Sequence, residues 1–298
     1  MEWHGVIPAI TTPFRADLSV DAELLRREVE ALVGAGCAGI VALGSLGEGG
    51  SLSFDEKKAV LRLCREALGG RASLVAGVAA LTTAEGARLA ELGAETRCDG
   101  LMVLPPYVYR GDWRETRTHF ESVIGATALP CMLYNNPVAY GTDVLPEQVC
   151  EVADALPNLA AVKESSTDVR RITALRALLG DRLAVLVGVD DLVLEGVQAG
   201  ALGWIAGLAD ALPEESVRLF ELARRGRTDE ARALYDWFLP LLRLDTVPKF
   251  VQLIKLVQAE VGLGSEAVRP PRLPLAGEER ERALALIEDT LARRPARG

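Results

Sequence analysis

Among 33 basic residues only five are lysines: Lys57, Lys58, Lys163, Lys249 and Lys255. Arginine carries the ordinary surface charge, so each lysine invites inspection. Lys163 closes the apolar run Leu159-Ala-Ala-Val162. An ammonium at the edge of an apolar interior loses hydration and its pKa falls, which exposes a neutral amine able to attack a carbonyl. The plainer alternative is a lysine that snorkels to water or pairs with an acid. Tyr134 ends the preceding run, Cys131–Tyr134, at the corresponding point. A phenol there can pass protons to and from a carbinolamine as general acid and base, or simply pack its ring. Gly44-Ser45-Leu46-Gly47 is a Gly-bounded turn whose backbone N–H groups can hold a carboxylate. Asp190 and Asp191 precede a helical pattern and read as an N-cap pair.

Other chemistries find little to build on. The two histidines, His4 and His119, lie far apart, which disfavours a Ser-His-Asp triad or a His-rich metal site. The five cysteines, Cys37, Cys64, Cys98, Cys131 and Cys150, form no CxxC pair and read as buried hydrophobes in a reducing compartment. No phosphate-binding GxxxxGK[ST] loop occurs, and no metal is expected. The net charge of −9 argues against a nucleic-acid partner, yet leaves room for an acidic small molecule in a locally favourable site. The first residues, MEWHGVIPAI, lack a basic leader, and no apolar run approaches about 18 residues. The expectation is a cytoplasmic protein with no membrane partner.

These residues need a scaffold, and the chain supplies a regular one. Eight short apolar runs, Val6–Ile10, Gly39–Leu43, Leu74–Val78, Gly100–Leu104, Cys131–Tyr134, Leu159–Val162, Leu183–Val187 and Leu202–Ala206, alternate with amphipathic stretches. Nearly continuous apolar runs suit parallel strands covered on both faces. Asp21, Ser53, Thr82 and Asp168 stand where helix N-caps belong. Eight is the number that closes a parallel barrel. A doubly wound sheet would place a GxGxxG turn after the first strand, where Ile10-Thr-Thr-Pro-Phe14 stands instead. The fold expected is an α/β (β/α)8 TIM barrel over residues 1–226, with a C-terminal helical extension over 227–298 packed on it as one unit. In such a barrel the residues at the C-terminal strand ends share one mouth. Lys163, Tyr134, the Gly44–Gly47 turn and Tyr107–Tyr109 after the fourth run would meet there.

Three motifs occur in order: Gly44-x-x-Gly47-Glu48, Tyr134-Asn-x-Pro137 and Val162-Lys-Glu-Ser165. In these the sequence resembles the dihydrodipicolinate synthase / N-acetylneuraminate lyase family of Schiff-base aldolases and lyases, over roughly residues 3–275. The resemblance implies the same barrel with C-terminal helices, and a homotetramer built as a dimer of dimers. It implies Lys163 as the Schiff-base lysine, with no other cofactor, and Tyr134 as the proton-relay tyrosine. Ser45 and Leu46 would bind the substrate carboxylate, Leu46 through its backbone N–H alone, with Gly44 in the same loop. The backbone carbonyl of Ile205 would lie near the substrate, and Asn136 and Tyr107 are further candidates.

The departures point away from lysine biosynthesis. Ser45-Leu46 replaces the Thr-Thr pair of dihydrodipicolinate synthases. Ala139 stands where their arginine holds the second substrate's carboxylate. Val108 stands where their second tyrosine is relayed from a neighbouring subunit, with Tyr109 the nearest substitute. The stretches Tyr134-Asn-Asn-Pro-Val-Ala-Tyr-Gly141 and Pro240-Leu-Leu-x-Leu-Asp245 resemble a catabolic subgroup, best matched by 1-pyrroline-4-hydroxy-2-carboxylate deaminase. That reaction yields 2-oxoglutarate semialdehyde from a cyclic imine carboxylate, and a small apolar wall at Val138–Tyr140 would suit the ring. A 2-oxo-3-deoxy sugar acid dehydratase or aldolase, 4-hydroxy-tetrahydrodipicolinate synthase, and a non-catalytic 2-oxo acid binding barrel are the alternatives.

Overall fold

A computed structural model describes residues 1–295. The first half of the chain runs β1 (Gly5–Pro8), α1 (Ala22–Gly34), β2 (Gly39–Ala42), α2 (Phe54–Leu68), β3 (Ser73–Val78), α3 (Thr83–Glu95), β4 (Gly100–Val103), α4 (Trp113–Gly125) and β5 (Cys131–Asn135). A four-residue helix α5 (Pro137–Tyr140) and then α6 (Pro146–Ala155) precede β6 (Leu159–Glu164), α7 (Arg170–Leu179), β7 (Ala184–Val187), α8 (Val193–Gln198), β8 (Gly203–Ala206) and α9 (Pro213–Arg224). Three further helices follow, α10 (Thr228–Leu242), α11 (Phe250–Glu260) and α12 (Gly277–Ala292).

All eight strands are parallel, each beside its sequence neighbour, and β1 pairs with β8. The remaining seam between β1 and β2 is joined by an Ala9–Val41 bridge and the Ile10 N–H bonded to the Val41 carbonyl. The sheet is thus the expected (β/α)8 barrel. Alternation along each strand divides the apolar side chains into two sets. One fills the lumen, with Ile7, Val41, Val75, Met102, Met132, Ala161, Leu186 and Ile205 among its members. The other seals strands against helices. A lumen packed with aliphatic side chains makes the barrel solid below its mouth.

Helix starts follow local chemistry. Asp21 accepts from the Glu23 and Leu24 N–H groups, and Thr82 from that of Glu85. Ser53 and Asp112 form capping boxes with Glu56 and Glu115. Asp168 opens α7 as expected: Val169 is already helical, and the Asp168 carboxylate accepts from the Arg170 N–H and also from its guanidinium. One expectation fails. Asp190 and Asp191 open only a 3-10 turn, Asp190–Leu192, and neither side chain caps it. Asp190 turns inward, towards β8. The extension packs through α10 on α9 and on α12, and most of α11 from Val251 to Gln258 is buried. No helix among the described residues is long and apolar enough to cross a membrane.

Candidate active site

In β6 the lumen-facing positions alternate, so Ala161 and Lys163 share the inner side while Glu164 belongs to the outer one. The strand continues one residue past Lys163, to Glu164. Lys163 is 6% exposed and pairs in register with Tyr134 of β5. Its Nζ lies 4.1 Å from the centre of the Tyr134 ring, and no acceptor among the described residues takes its N–H groups. Burial therefore lowers its pKa, opposed by the nearby Tyr140, Asp245 and Asp190. Its stem has room because Gly188 follows β7, where a Cβ would run into Lys163 Cε and Ser165 Oγ.

The Tyr134 hydroxyl accepts from Asn136 Nδ2 at 3.0 Å, and burial raises its pKa. Asn136 also caps α5: its Oδ1 accepts from the Ala139 N–H, with Pro137 in the first turn. This single turn folds the chain back, and Tyr140 returns to meet Tyr134 edge to face at 5.7 Å. The Tyr140 hydroxyl closes on Ser45 Oγ in a short hydrogen bond.

Ser45 lies in the loop after β2. Leu43 and Glu48 adopt left-handed backbone on its two sides, and side chains at Gly47 or Gly49 would strike the Ile10 or Leu43 carbonyl. Within this tight fold the N–H groups of Ser45 and Leu46 reach no acceptor among the described residues. Two free amides beside a serine hydroxyl form a small anion-binding concavity. Leu46 itself is buried.

Gly44, Ser45, Leu46, Tyr107, Tyr134, Asn136, Lys163 and Ile205 all line one cavity of about 500 Å³ at the C-terminal strand ends. Tyr109 does not join them. It is 57% exposed, and its hydroxyl donates to Glu115, because left-handed Val108 turns the chain outward before α4. Neither histidine lines the cavity, and His119 instead meets Thr83 Oγ1 behind the barrel wall. Among the described residues no His, Cys, Asp or Glu group could hold a metal ion.

Among the lining residues that escaped the sequence reading, four bring polar groups. Tyr140 was part of an expected apolar wall, and only a recognised Asn-Pro cap would have turned its hydroxyl inward. Asp245 arrives from the 3-10 turn Arg243–Thr246 of the extension, Ser165 Oγ is buried without a partner among the described residues, and Arg272 comes from the segment before α12. The wall is therefore more polar than expected. Asp190 lies behind it, accepting from Trp204 Nε1 at 2.9 Å and from the N–H groups of Gly207 and Leu208.

Comparison with known proteins agrees with this architecture. The chain is 35% identical over 302 residues to the 4-hydroxy-tetrahydrodipicolinate synthase of Xanthomonas axonopodis pv. citri (strain 306), covering 98% of this chain and 96% of that one. It is 32% identical to the synthase of the same name from Chlorobium limicola, covering 93% of each. The solved structure of the Methylacidiphilum fumariolicum SolV synthase superposes with a TM-score of 0.92 at 28% identity, covering 98% of both chains. A chloride-inhibited dihydrodipicolinate synthase from Acinetobacter baumannii, complexed with pyruvate, also gives 0.92 at 28% identity, over 96% of this chain and 98% of that one. The model of the dihydrodipicolinate synthetase family matches residues 2–290, and with its barrel and ordered motifs this chain belongs to that family.

Proposed function

We propose that the protein is a lyase that binds a small 2-oxo acid, or its cyclic imine, as a Schiff base on Lys163. The carrying observation is the environment of that amine: buried, without a hydrogen-bond acceptor among the described residues, and beside a phenol at the mouth of a barrel. The substrate carboxylate sits on the Ser45 and Leu46 amides, which holds C2 over Lys163 Nζ. Attack gives a carbinolamine, or on the cyclic imine an aminal; Tyr134 supplies the proton that lets the hydroxyl leave as water or the ring nitrogen leave as an amine, and the resulting iminium acidifies C3. The amine itself provides the electron sink, so the reaction draws on no external cofactor.

The substrate we favour is 1-pyrroline-4-hydroxy-2-carboxylate, converted with one net water to 2-oxoglutarate semialdehyde and ammonia. Its ring is compact, and the cavity beyond the carboxylate loop is closed by Tyr140 and Asp245, with Ala139 offering no charge for a second carboxylate. The second reading is condensation of pyruvate with aspartate semialdehyde, favoured by the names of the relatives and by Arg272 at the cavity wall. A homotetramer in the cytoplasm completes the proposal.

Borohydride reduction with pyruvate, followed by peptide mass analysis, tests the Schiff base. The expected adduct is on Lys163, and an adduct on Lys249 or Lys255 would overturn it. Turnover of the pyrroline, coupled to an aldehyde dehydrogenase, tests the substrate. Inert pyrroline with active condensation would install the second reading, and a linear 2-oxo-3-deoxy acid turned over instead would make the enzyme a dehydratase or aldolase.

A further inference from the structure

We infer that Asp245, delivered by the C-terminal extension, is the general acid that protonates a hydroxyl leaving from C4 of the Lys163-bound substrate. The inference rests on the Schiff-base reading above and adds the class of substrate, a 2-oxo acid or cyclic imine carrying a 4-hydroxyl.

The Asp245 carboxyl reaches the cavity from outside the barrel and lies against Gly207, where any Cβ would collide with Oδ1. No donor among the described residues hydrogen-bonds it. Its neighbour Asp190 differs sharply, taking three donors, Trp204 Nε1, Gly207 N–H and Leu208 N–H. Both carboxyls meet Gly207, Asp190 fully buried and Asp245 partly so, and charge on one disfavours charge on the other; Asp190, held by its donors, keeps the anion and Asp245 keeps the proton. Burial and the Asp190 charge hold Asp245 well above the usual carboxylate range, Asp191 adds to this, and only Lys163 opposes it. Asp191 is itself paired with Arg243 on the same turn as Asp245. The result at neutral pH is a carboxylic acid facing the cavity that also holds the lysine.

A neutral acid there suits a hydroxyl. After the carbinolamine has lost water, or the aminal from the cyclic imine has expelled its protonated ring nitrogen, the Tyr134 phenolate takes the C3 proton and leaves an enamine. The enamine pair returns through C2–C3 to form C3=C4 as the C4–O bond breaks. The Asp245 proton goes to the departing oxygen, which leaves as water, and solvent later reprotonates the carboxylate. No oxidant or reductant enters.

The test is Asp245→Asn, which keeps the shape and removes the proton. Two reactions that expel no C4 hydroxyl serve as references, borohydride trapping with pyruvate and exchange of pyruvate C3 hydrogens in D2O followed by NMR. Both should stay within about threefold of the parent protein, while dehydration of the pyrroline or of a linear 4-hydroxy-2-oxo acid falls about 10²–10⁴-fold. A 4-chloro analogue, whose leaving group needs no proton, should restore parity. Equal losses in all reactions, or dehydration within threefold, would overturn the assignment. If the variant does not fold, the parent protein's pH profiles decide: dehydration should fail on an alkaline limb that pyruvate exchange lacks, and coincident profiles overturn the inference. A parent protein that traps pyruvate but dehydrates neither substrate would overturn the acid and leave the Schiff base standing. Absence of trapping would overturn the Schiff base itself.

Discussion

Two lysines of this chain are almost equally buried and chemically opposite. Lys163 in β6 is 6% exposed and Lys255 in α11 is 1% exposed. Lys255 Nζ donates to Glu48 Oε1 at 2.6 Å, to the Thr12 carbonyl at 2.8 Å and to the Ala267 carbonyl at 2.6 Å. Three donors meet three acceptors, so the charge is retained although burial lowers its pKa. Lys163 has an aromatic face and no acceptor among the described residues. The difference lies in what surrounds the ammonium rather than in how deeply it is buried: Lys255 ties α11 to the loop after β2, while the amine of Lys163 is left free to react. Glu48 completes that tie by also accepting from the Arg269 N–H, which brings the segment before α12 to the barrel.

The comparison breaks most severely at Lys163. Lys163→Met should abolish turnover and borohydride labelling. It should also raise the denaturation midpoint at neutral pH. A lysine whose pKa is depressed in the fold penalises stability below that depressed value and relieves it as pH rises towards 10.5, and the thioether removes the penalty. A variant that is inactive and less stable would contradict this account of the site. Lys255→Met should behave in reverse, keeping residual labelling but losing about 3–5 kcal/mol of stability, because Glu48 is left buried without its partner. Urea titrations of both variants check the pair, and a neutral Lys255→Met would mean that the ion pair is dispensable.

Next in size is the proton path. Tyr134→Phe should lower turnover about 10²–10⁴-fold with the fold intact, and a loss under about threefold would reduce Tyr134 to packing. Tyr140→Phe removes the hydroxyl held by Ser45 and should cost about tenfold. A Tyr109→Phe variant, remote from the cavity, supplies the control. If Tyr109→Phe lost more than Tyr140→Phe, the cavity as drawn would be incomplete.

The unequal legibility of these residues has physical causes. The barrel was readable because strand runs and helix caps are local signals, and Lys163 and Tyr134 were readable because they end two adjacent runs. Their pairing in register follows from the barrel itself. Asp245 and Arg272 were not readable as site residues, since only the packing of the extension carries them to the mouth. Asp190 was misread for a related reason: its position suggests a cap, while its donors come from β8 and the turn after it. Tyr109 lies outside the cavity of its own chain because left-handed backbone at Val108 redirects the chain, and a valine gives no warning of that conformation.

An effect on stability alone lies beside Lys255 and sharpens the contrast. Glu28 of α1 is buried with neither carboxyl oxygen hydrogen-bonded among the described residues. Burial pushes its pKa up to about 8, and the Lys255 charge only partly offsets this. A carboxyl whose folded pKa exceeds its unfolded value of 4.5 stabilises most below pH 4.5, and that contribution is lost as pH rises to about 8. Glu28→Gln cannot ionise. It should therefore gain on the order of 4 kcal/mol over the parent protein at pH 8 and less than about 1 kcal/mol at pH 5. Midpoints of urea unfolding at pH 5, 6.5 and 8 measure this directly, and parallel curves for the two proteins would show that Glu28 ionises freely. Because Glu28 lies away from the cavity, labelling at Lys163 should be unchanged throughout. A pH-dependent change there would instead mean that the buried charges around Lys255 and the amine of Lys163 are one electrostatic system rather than two.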